Sequence, residues 1–269
     1  MRAVVLARGA GRRMQTADPS TTLTSAQATA ASAGLKSVMP VGPGERPFLA
    51  YVLSALADAG CRAVCIVVGP DHEAIRRWFT GSRTPTRLSV GFAVQEVADG
   101  TAHAVLAAEA FTRDEPFLVL NADNLYPATV VRAVADLDGP GLAAFERDRL
   151  VTESGFDEER VASFALLDVD ATSRLRGIVE KPGPTAMAAG ANALVSMNLW
   201  RFDRGIYGPC RDVPRSARGE HELPEAVALA LDRGMAFRAV RARGRVLDLS
   251  RQADIAAVSH ALAQIEVCL

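Results

Sequence analysis

The sequence predicts an α/β fold with a mixed, mostly parallel sheet, and two observations support this. Through the first half of the 269 residues, short apolar runs alternate with segments whose apolar side chains recur at helical spacing. This alternation is typical of parallel strands joined by crossover helices. From about residue 140 the runs resemble consecutive strands, so we expect a mixed or antiparallel extension of the sheet there.

Four strands and three helices are predicted in the first half. The strands are apolar runs at residues 3–7, 63–68, 88–94 and 117–121. The clearest helix covers residues 47–59, because its large apolar residues share one face, a proline opens it and Gly60 follows its end. The other two helical patterns cover residues 71–79 and 102–111.

The second half adds strands at residues 142–145, 161–168, 175–180 and 193–202. A helix near residues 222–232, a strand pair within residues 237–247 and a final helix complete the pattern. The final helix places Ile255, Val258, Leu262 and Ile265 on one face. We interpret residues 1–269 as one domain, with residues 236–269 packed on it.

Residues 15–34 form the one compositionally biased stretch. They are rich in Ala, Thr and Ser and contain few large apolar side chains, so they are poor candidates for the core. We interpret this stretch as a mobile loop or lid, although its Ala-rich half could also form a helix.

Composition and charge exclude several protein classes. A hydrophobic fraction of 49% and a charged fraction of 23% exclude disordered, collagen-like and disulfide-scaffold proteins. The net charge of -1 supplies no positive field for nucleic acid or an anionic membrane. No apolar run approaches the roughly 20 residues that cross a bilayer, and the first run is too short for a signal peptide. We therefore expect a cytoplasmic protein with small-molecule partners.

Cysteine and histidine patterns exclude further types of site. The 4 cysteines show no CxxC spacing, which favours reduced cysteines acting as small hydrophobic side chains. The 4 histidines lack a spacing suited to zinc. No serine has the flanking glycines of a hydrolase nucleophile elbow.

Lysine occurs at only two positions, Lys36 and Lys181, whereas the other basic residues are arginines. A lysine presents a compact point charge and an arginine a planar fork. The two lysines therefore mark candidate positions where an arginine would not fit, such as a crowded phosphate site. The alternative is that these two lysines lie on the surface and occur there by chance.

A glycine-rich turn, Ala7-Arg8-Gly9-Ala10-Gly11-Arg12-Arg13-Met14, follows the first strand. Glycines let backbone amides approach phosphate oxygens, and arginine adds charged donors. Met14 stands in the third-glycine place of the dinucleotide fingerprint, which disfavours an NAD-dependent dehydrogenase. The turn indicates a nucleotide loop, with an ordinary strand-to-helix turn as the alternative.

This turn resembles the signature of nucleotidyltransferases that make nucleotide sugars from a nucleoside triphosphate and a sugar 1-phosphate. Their apolar strand is followed by G-x-G-x-R-M or R-L, which Gly9, Gly11, Arg13 and Met14 match. Arg8 stands where most members have a small residue.

Two further segments resemble the nucleotide-binding half of this family. Lys36 opens Lys-Ser-Val-Met-Pro-Val, similar to the family's lysine before a short apolar stretch with proline, although residues 15–35 make the spacing unusually long. Gln95, followed by Gly100-Thr101-Ala, is similar to the base-recognition segment. A glutamine amide can donate to and accept from a base edge at the same time.

Candidate metal carboxylates follow two later strands. Asp123-Asn124 resembles the family's strand ending in G-D-N, with alanine in the glycine place. Asp248 resembles the late aspartate of W-x-D-I-G, with Ser250 in the glycine place, and Asp254 is the competing candidate. A carboxylate at the carboxyl end of a strand lies where open α/β sheets bind ligands.

The sugar half of the resemblance rests on two segments. Glu180-Lys181-Pro matches the family's E-K-P, and Asn198 lies on a strand similar to the one that carries an asparagine near the sugar. We interpret Trp200 and Phe202 on the same strand as core aromatics. The resemblance extends from residue 1 to about residue 250.

The resemblance implies a Rossmann-like three-layer α/β/α sandwich and Mg2+-dependent nucleotidyl transfer. The implied catalytic residues are Arg13, Lys36, Asp123 and Lys181, and the implied metal ligands are Asp123 and Asp248. The implied substrate-binding residues are Ala7, Gly9, Gly11, Gln95, Gly100, Thr101, Asn124, Glu180 and Asn198. The partners would be a nucleoside triphosphate and a sugar phosphate, with no nucleic acid or membrane, and a homo-oligomer is left open.

Two alternatives share this fold. The first is nucleotidyl transfer to a polyol, cyclitol or phosphonate instead of a sugar phosphate. The second is a regulatory protein that binds a nucleotide sugar without turnover, which the departures at Arg8, Ala122 and Ser250 and the long segment of residues 15–34 favour.

Overall fold

The computed structural model describes residues 1–79, 84–182, 190 and 192–269. Its strands, in chain order, are β1 (Arg2–Leu6), β2 (Pro40–Val41), β3 (Arg46–Pro47), β4 (Ala63–Val68), β5 (Ser89–Val94), β6 (Phe117–Asn121), β7 (Asn124–Leu125), β8 (Gly141–Glu146), β9 (Ala165–Val169), β10 (Leu175–Val179), β11 (Leu194–Phe202), β12 (Arg238–Ala242) and β13 (Leu247–Asp248).

The strands form one large mixed sheet and two small antiparallel pairs. The main path of the large sheet runs β10-β9-β11-β6-β1-β4-β5, and β8 joins it through β11 and carries β12. Strands β6, β1, β4 and β5 are mutually parallel. Strand β11 runs antiparallel to β6, β8 and β9. The predicted mixed sheet with an antiparallel extension is therefore confirmed.

The described α-helices lie between and around these strands. They are α1 (Arg12–Gln15), α2 (Ser25–Ser32), α3 (Phe48–Asp58), α4 (Glu73–Trp78), α5 (Thr101–Ala107), α6 (Glu109–Thr112), α7 (Ala128–Ala135), α8 (Arg147–Thr152), α9 (Glu158–Ala162), α10 (Tyr207–Asp212), α11 (Leu223–Asp232) and α12 (Asp254–Leu262). Within the described parts of the chain, no helix is long and apolar enough to cross a membrane.

Both faces of the large sheet are buried, which gives three layers. Along β1, Ala3 and Val5 belong to one hydrophobic cluster, whereas Val4 belongs to the other. Successive side chains of a strand point to opposite faces, so the two clusters lie on opposite sides of the sheet. Helix α3 packs in the first cluster and α11 in the second, as an α/β/α sandwich requires.

Several predicted elements need correction. Residues 161–168 are not one strand, because helix α9 ends at Ala162 and β9 begins at Ala165. Asp157 caps α9 by accepting a hydrogen bond from the Arg160 amide, and this cap outweighs the strand-like composition.

The C-terminal elements differ as well. Strands β12 and β13 do not pair with each other, since β12 pairs with β8 and β13 with β7. Helix α12 ends at Leu262, so Ile265 lies beyond it with 42% of its surface exposed. Tertiary pairing, which local composition does not encode, decides the partners of β12 and β13.

The Ala-rich half of residues 15–34 forms helix α2. Thr24 and Gln27 make a reciprocal capping box at its start. Gln27 also donates through Nε2 to the Pro40 carbonyl oxygen at 3.1 Å, which ties the helix to β2.

The cysteines behave as predicted. All four are free, and Cys61, Cys65 and Cys210 are buried. Burial raises the pKa of the Cys61 and Cys65 thiols to about 11, so they remain protonated and apolar at neutral pH.

Candidate active site

The carboxyl ends of three parallel strands bring the predicted nucleotide residues to one edge of the sheet. Strand β1 leads into Ala7 and the glycine turn, β5 into Gln95, and β6 into Asp123. Because β1 lies between β6 and β4, the glycine turn separates the aspartate from the glutamine. This edge is where open α/β sheets bind ligands.

The glycine turn is held by a second glycine far along the chain. Gly11 has a φ of 63° and precedes α1. A Cβ atom there would lie 2.2 Å from the carbonyl oxygen of Gly34, and one on Gly34 would lie 2.5 Å from that of Ala10. The chain therefore leaves the site at Gly11 and returns at Gly34, so the long insertion still delivers Lys36 to the turn.

Lys36 forms an ion pair with Asp123 across the site. The Lys36 Nζ atom donates to Asp123 Oδ2, and each side chain is 18% exposed. The Asp123 carbonyl oxygen accepts a hydrogen bond from the Leu249 amide at 2.9 Å. The segment that contains the second aspartate is thus anchored directly to the first.

Asp248 lies beside this pair. Strand β13 pairs with β7 so that Asp248 stands opposite Asn124, which is also buried. Burial raises the pKa of the Asp248 carboxyl, and the negative charge of Asp123 raises it further. The structure therefore brings both predicted metal carboxylates together.

A buried arginine that the sequence did not reveal supports Asp248. The Arg160 Nη2 atom lies 2.9 Å from Asp248 Oδ2, and its Nη1 atom lies 2.8 Å from Asp254 Oδ1. Ser250 Oγ donates to Asp248 Oδ1 at 2.5 Å. Asp254 also accepts from the Ser250 and Arg251 amides at 2.8 Å, which occupies its carboxylate in holding the chain before α12.

The donor set fits a hard divalent cation. The Asp123 and Asp248 carboxylates are close enough for the charge of one to raise the pKa of the other, and Mg2+ prefers few protein carboxylates together with water and phosphate oxygens. Among the described residues, no group of three or more His, Cys, Asp and Glu side chains could hold a metal ion alone. An ion here would therefore need oxygen atoms from a bound substrate or from water.

Gln95 is buried at the start of the segment that resembles the family's base-recognition segment. Its Nε2 atom donates to the Gly100 carbonyl oxygen at 3.0 Å and lies 3.2 Å from His103 Nδ1. Gly100 has a φ of 92°, and a Cβ atom there would lie 2.3 Å from the His221 carbonyl oxygen. The loop is therefore closed around the glutamine amide and packed against the segment before α11.

Thr101 has a structural contact in addition to its predicted role. Its Oγ1 atom accepts a hydrogen bond from the Leu223 amide at 2.8 Å, which satisfies a free donor at the start of α11.

Glu180 and Lys181 directly follow strand β10. The pKa of Glu180 is raised to about 7, chiefly by burial and also by the nearby charge of Glu222, whereas Arg218 opposes the increase. The Arg218 Nη2 atom lies 3.9 Å from Glu180 Oε1 and also pairs with Glu222. Lys181 is exposed and has a φ of 47°.

Asn198 lies on an irregular part of β11. Its φ is 62°, and the pairing of β11 with β8 shifts register between Ser196 and Trp200. The Asn198 Oδ1 atom accepts from Trp200 Nε1 at 3.2 Å. Trp200 and Phe202 are fully buried, which confirms them as core aromatics.

Tyr126 connects the two halves of the site, although no motif or pattern in the sequence marks it. Its hydroxyl donates to the Met197 carbonyl oxygen, next to Asn198. Burial raises the pKa of Tyr126, and the charges of Asp123 and Asp248 raise it further.

Arg13, one of the predicted catalytic residues, is exposed on α1.

Comparisons with known proteins show what the whole chain is similar to. The family model described as "Nucleotidyl transferase" matches residues 2–264. A UTP--glucose-1-phosphate uridylyltransferase, AglF, from Haloferax volcanii is 27% identical over 94% of this chain and 93% of its own. A glucose-1-phosphate thymidylyltransferase from Streptomyces antibioticus is 28% identical over 97% of this chain, which spans 65% of that protein.

A solved structure supports the fold alone. A UDP-glucose pyrophosphorylase in complex with UDP-glucose superposes with a TM-score of 0.77 at 18% identity. The superposition covers 98% of this chain and 99% of that one.

Proposed function

The chain belongs to the nucleotidyl transferase family, and we propose that it transfers a nucleoside monophosphate from a nucleoside triphosphate to a sugar 1-phosphate. The products are pyrophosphate and a nucleoside diphosphate sugar. The observation that carries this proposal is the convergence of Lys36, Asp123 and Asp248 beside a glycine turn at the carboxyl edge of the sheet.

The reaction needs no nucleophile from the protein. An oxygen of the sugar phosphate attacks the α-phosphorus, and the bond from that phosphorus to the oxygen bridging it to the β-phosphorus breaks as pyrophosphate leaves. The attacking oxygen is already anionic, so no proton must be removed from it. The task of the protein is to hold two polyanions in line and to stabilise the developing charge.

Asp123 and Asp248 would hold Mg2+. When bound, the ion would neutralise phosphate charge and polarise the phosphoryl group. Arg160 and Ser250 hold the Asp248 carboxylate in place, and the Leu249 amide holds the backbone of Asp123. The metal requirement rests on these contacts and on the resemblance.

Three cationic side chains would neutralise the phosphate charges of the substrates. Lys36 would contact the triphosphate near its α-phosphate, because its ammonium group already lies at Asp123. Arg13 would hold the departing pyrophosphate from its exposed position on α1. Lys181 would bind the phosphate of the sugar substrate.

The remaining residues would position the substrates. The nucleotide would be held by Ala7, Gly9, Gly11, Gln95, Gly100, Thr101 and Asn124. The sugar hydroxyls would meet Glu180 and Asn198. These partly buried side chains suit this role because a hydroxyl can donate to a carboxylate or amide oxygen and accept from an amide nitrogen.

The regulatory alternative loses its main support. Ser250 donates directly to Asp248, so this departure from the family pattern strengthens the carboxylate site. Ala122 is buried, and its amide donates to the Leu6 carbonyl oxygen at 3.0 Å, which extends the β6–β1 pairing. Transfer to a polyol, cyclitol or phosphonate remains an alternative, which the pyrophosphate-release assay described below distinguishes from transfer to a sugar 1-phosphate. The cytoplasmic location also stays a prediction.

A pyrophosphate-release assay tests the proposal. Each nucleoside triphosphate, including dTTP, is combined with Mg2+ and with hexose 1-phosphates, polyol phosphates or cyclitol phosphates. We expect release that requires both one triphosphate and one sugar 1-phosphate. Release only with a non-sugar phosphate would assign the alternative acceptor. Binding of a nucleotide sugar without release for any pair would assign the regulatory role.

A further inference from the structure

Arg8 has no role in the reaction described above, although it lies inside the glycine turn. It is the second residue after the end of β1 and is half-buried. Its Nε atom donates to the Gln95 carbonyl oxygen at 3.1 Å. Arg8 is therefore attached to the residue that the family resemblance assigns to base recognition.

Gly69 makes room for this side chain. A Cβ atom on Gly69 would lie 2.7 Å from Arg8 Nε, 2.8 Å from Cδ and 2.9 Å from Cζ. The guanidinium group thus lies against the backbone just beyond the end of β4. Any larger residue at position 69 would push the Arg8 side chain aside.

The direction of Arg8 distinguishes a base contact from a phosphate contact. In the sheet, β6 lies on one side of β1, and β4 and β5 lie on the other. Asp123 follows β6, whereas Gly69 and Gln95 follow β4 and β5. Arg8 therefore extends away from the carboxylate site and toward the opposite end of the nucleotide pocket.

The charge of Arg8 lacks a partner in the described part of the chain. No carboxylate there lies within ion-pair distance of it, and its Nη1 and Nη2 atoms have no hydrogen-bond partner. The neighbouring His72 does not supply one. Burial lowers the pKa of His72, the charge of Arg8 lowers it further, and the His72 Nδ1 atom faces the Gly69 amide at 3.3 Å.

We propose that Arg8 determines which base the enzyme accepts, by donating hydrogen bonds from its two free Nη groups to a base carbonyl. This inference rests on the proposed function. A guanidinium group has donors only, so it can pair with the O4 carbonyl of uracil or thymine and with the O6 carbonyl of guanine. Adenine and cytosine carry an amino group at the corresponding position, so they would face these half-buried donors with a donor of their own.

The test measures base selectivity separately from turnover. Equilibrium dissociation constants for UTP, dTTP, GTP and ATP with Mg2+ are determined for the wild-type chain and for Arg8→Ala, Gly69→Ala and Arg12→Ala. Gly69→Ala displaces the Arg8 side chain and keeps its charge. Arg12→Ala removes an exposed charge from the same turn and serves as the matched control.

We expect the wild-type chain to bind one of the three carbonyl bases roughly tenfold or more tightly than ATP. Arg8→Ala and Gly69→Ala should each reduce this ratio to less than about threefold. Arg12→Ala should retain the ratio, even if it weakens binding of all four nucleotides. Thermal unfolding of each variant establishes that it is folded. If only one of Arg8→Ala and Gly69→Ala is folded, that variant alone is sufficient to test the inference.

Three results would overturn the inference: tightest binding of ATP by the wild-type chain, an unchanged ratio in Arg8→Ala, or a parallel loss for all four nucleotides. The last result would make Arg8 a phosphate contact. A base preference that depends on Arg8, with no pyrophosphate release in the assay above, would retain the inference and remove the proposed function. No binding of any nucleotide would remove both.

Discussion

Gly11 and Gly34 touch through their backbones although 22 residues separate them: a Cβ atom on Gly11 would lie 2.2 Å from the Gly34 carbonyl oxygen. This contact closes the excursion that contains α1 and α2. It explains how an insertion between the glycine turn and Lys36 leaves the ion pair with Asp123 in place.

We expect Gly11→Ala to destabilise the protein by about 1–3 kcal/mol, because it adds a steric overlap and forces an alanine into the left-handed region. Gly9→Ala is the matched control, since a Cβ atom there meets nothing within 4 Å. Urea denaturation measures both. Equal stability of the two variants would show that the Gly11–Gly34 contact relaxes freely.

Asp123→Asn should remove activity at all Mg2+ concentrations and leave the fold intact. The substitution deletes the charge that would hold the cation but keeps the shape of the side chain. Asp114→Asn is the control, because Asp114 is 81% exposed and forms only a surface pair with Arg204. Pyrophosphate release measured against Mg2+ concentration tests the loss of activity, and circular dichroism tests whether the fold is intact. Activity that returns at saturating Mg2+ would argue against a direct metal contact.

Lys181→Arg should lower turnover about tenfold or more although the charge is kept, because a planar fork cannot reproduce a single-point contact with phosphate. Arg176→Lys exchanges the same residue types on β10, at a side chain that is 57% exposed, and should have little effect. Steady-state kinetics with varied sugar phosphate compares the two. Wild-type turnover in Lys181→Arg would remove the specific requirement for lysine.

Glu180 should make stability depend on pH. Burial raises its pKa to about 7 from an ordinary value of 4.5. The folded state therefore binds the proton more tightly than the unfolded state, so stability falls as the pH rises between these two values. Glu180→Gln should remove this slope and be more stable than the wild type at pH 8, by an amount on the order of 3 kcal/mol.

Below about pH 4 the two proteins should converge in stability, because Glu180 is then protonated in both states. Chemical denaturation across the pH range measures the difference. Parallel curves for the two proteins would show that Glu180 titrates normally in the folded state.

Arg160→Met should cost about 3–5 kcal/mol, because it leaves Asp248 and Asp254 buried without their shared cation. Arg211→Met is the comparison, since the Arg211–Glu109 pair is exposed and such pairs contribute about 1 kcal/mol or less. A similarly small loss of stability in Arg160→Met and Arg211→Met would mean that water replaces the Arg160 guanidinium at the two carboxylates.

The sequence determined the elements whose signal is local. The predicted bounds of β4 and β6, residues 63–68 and 117–121, agree with the structure because each is a short apolar run between turn residues. The clearest predicted helix, residues 47–59, contains α3 for the same reason. The family motifs also marked Lys36, Asp123 and Asp248 before any contact among them was known.

Only the tertiary structure decided how distant segments meet. The pairing of β13 with β7, the Gly11–Gly34 contact and the Arg160–Asp248 pair each join residues far apart in the chain. Periodicity and composition report a residue's own helix or strand and carry no information about its partner across the fold. Arg160 and Tyr126 therefore looked ordinary in sequence, and their roles arise from burial beside the two aspartates.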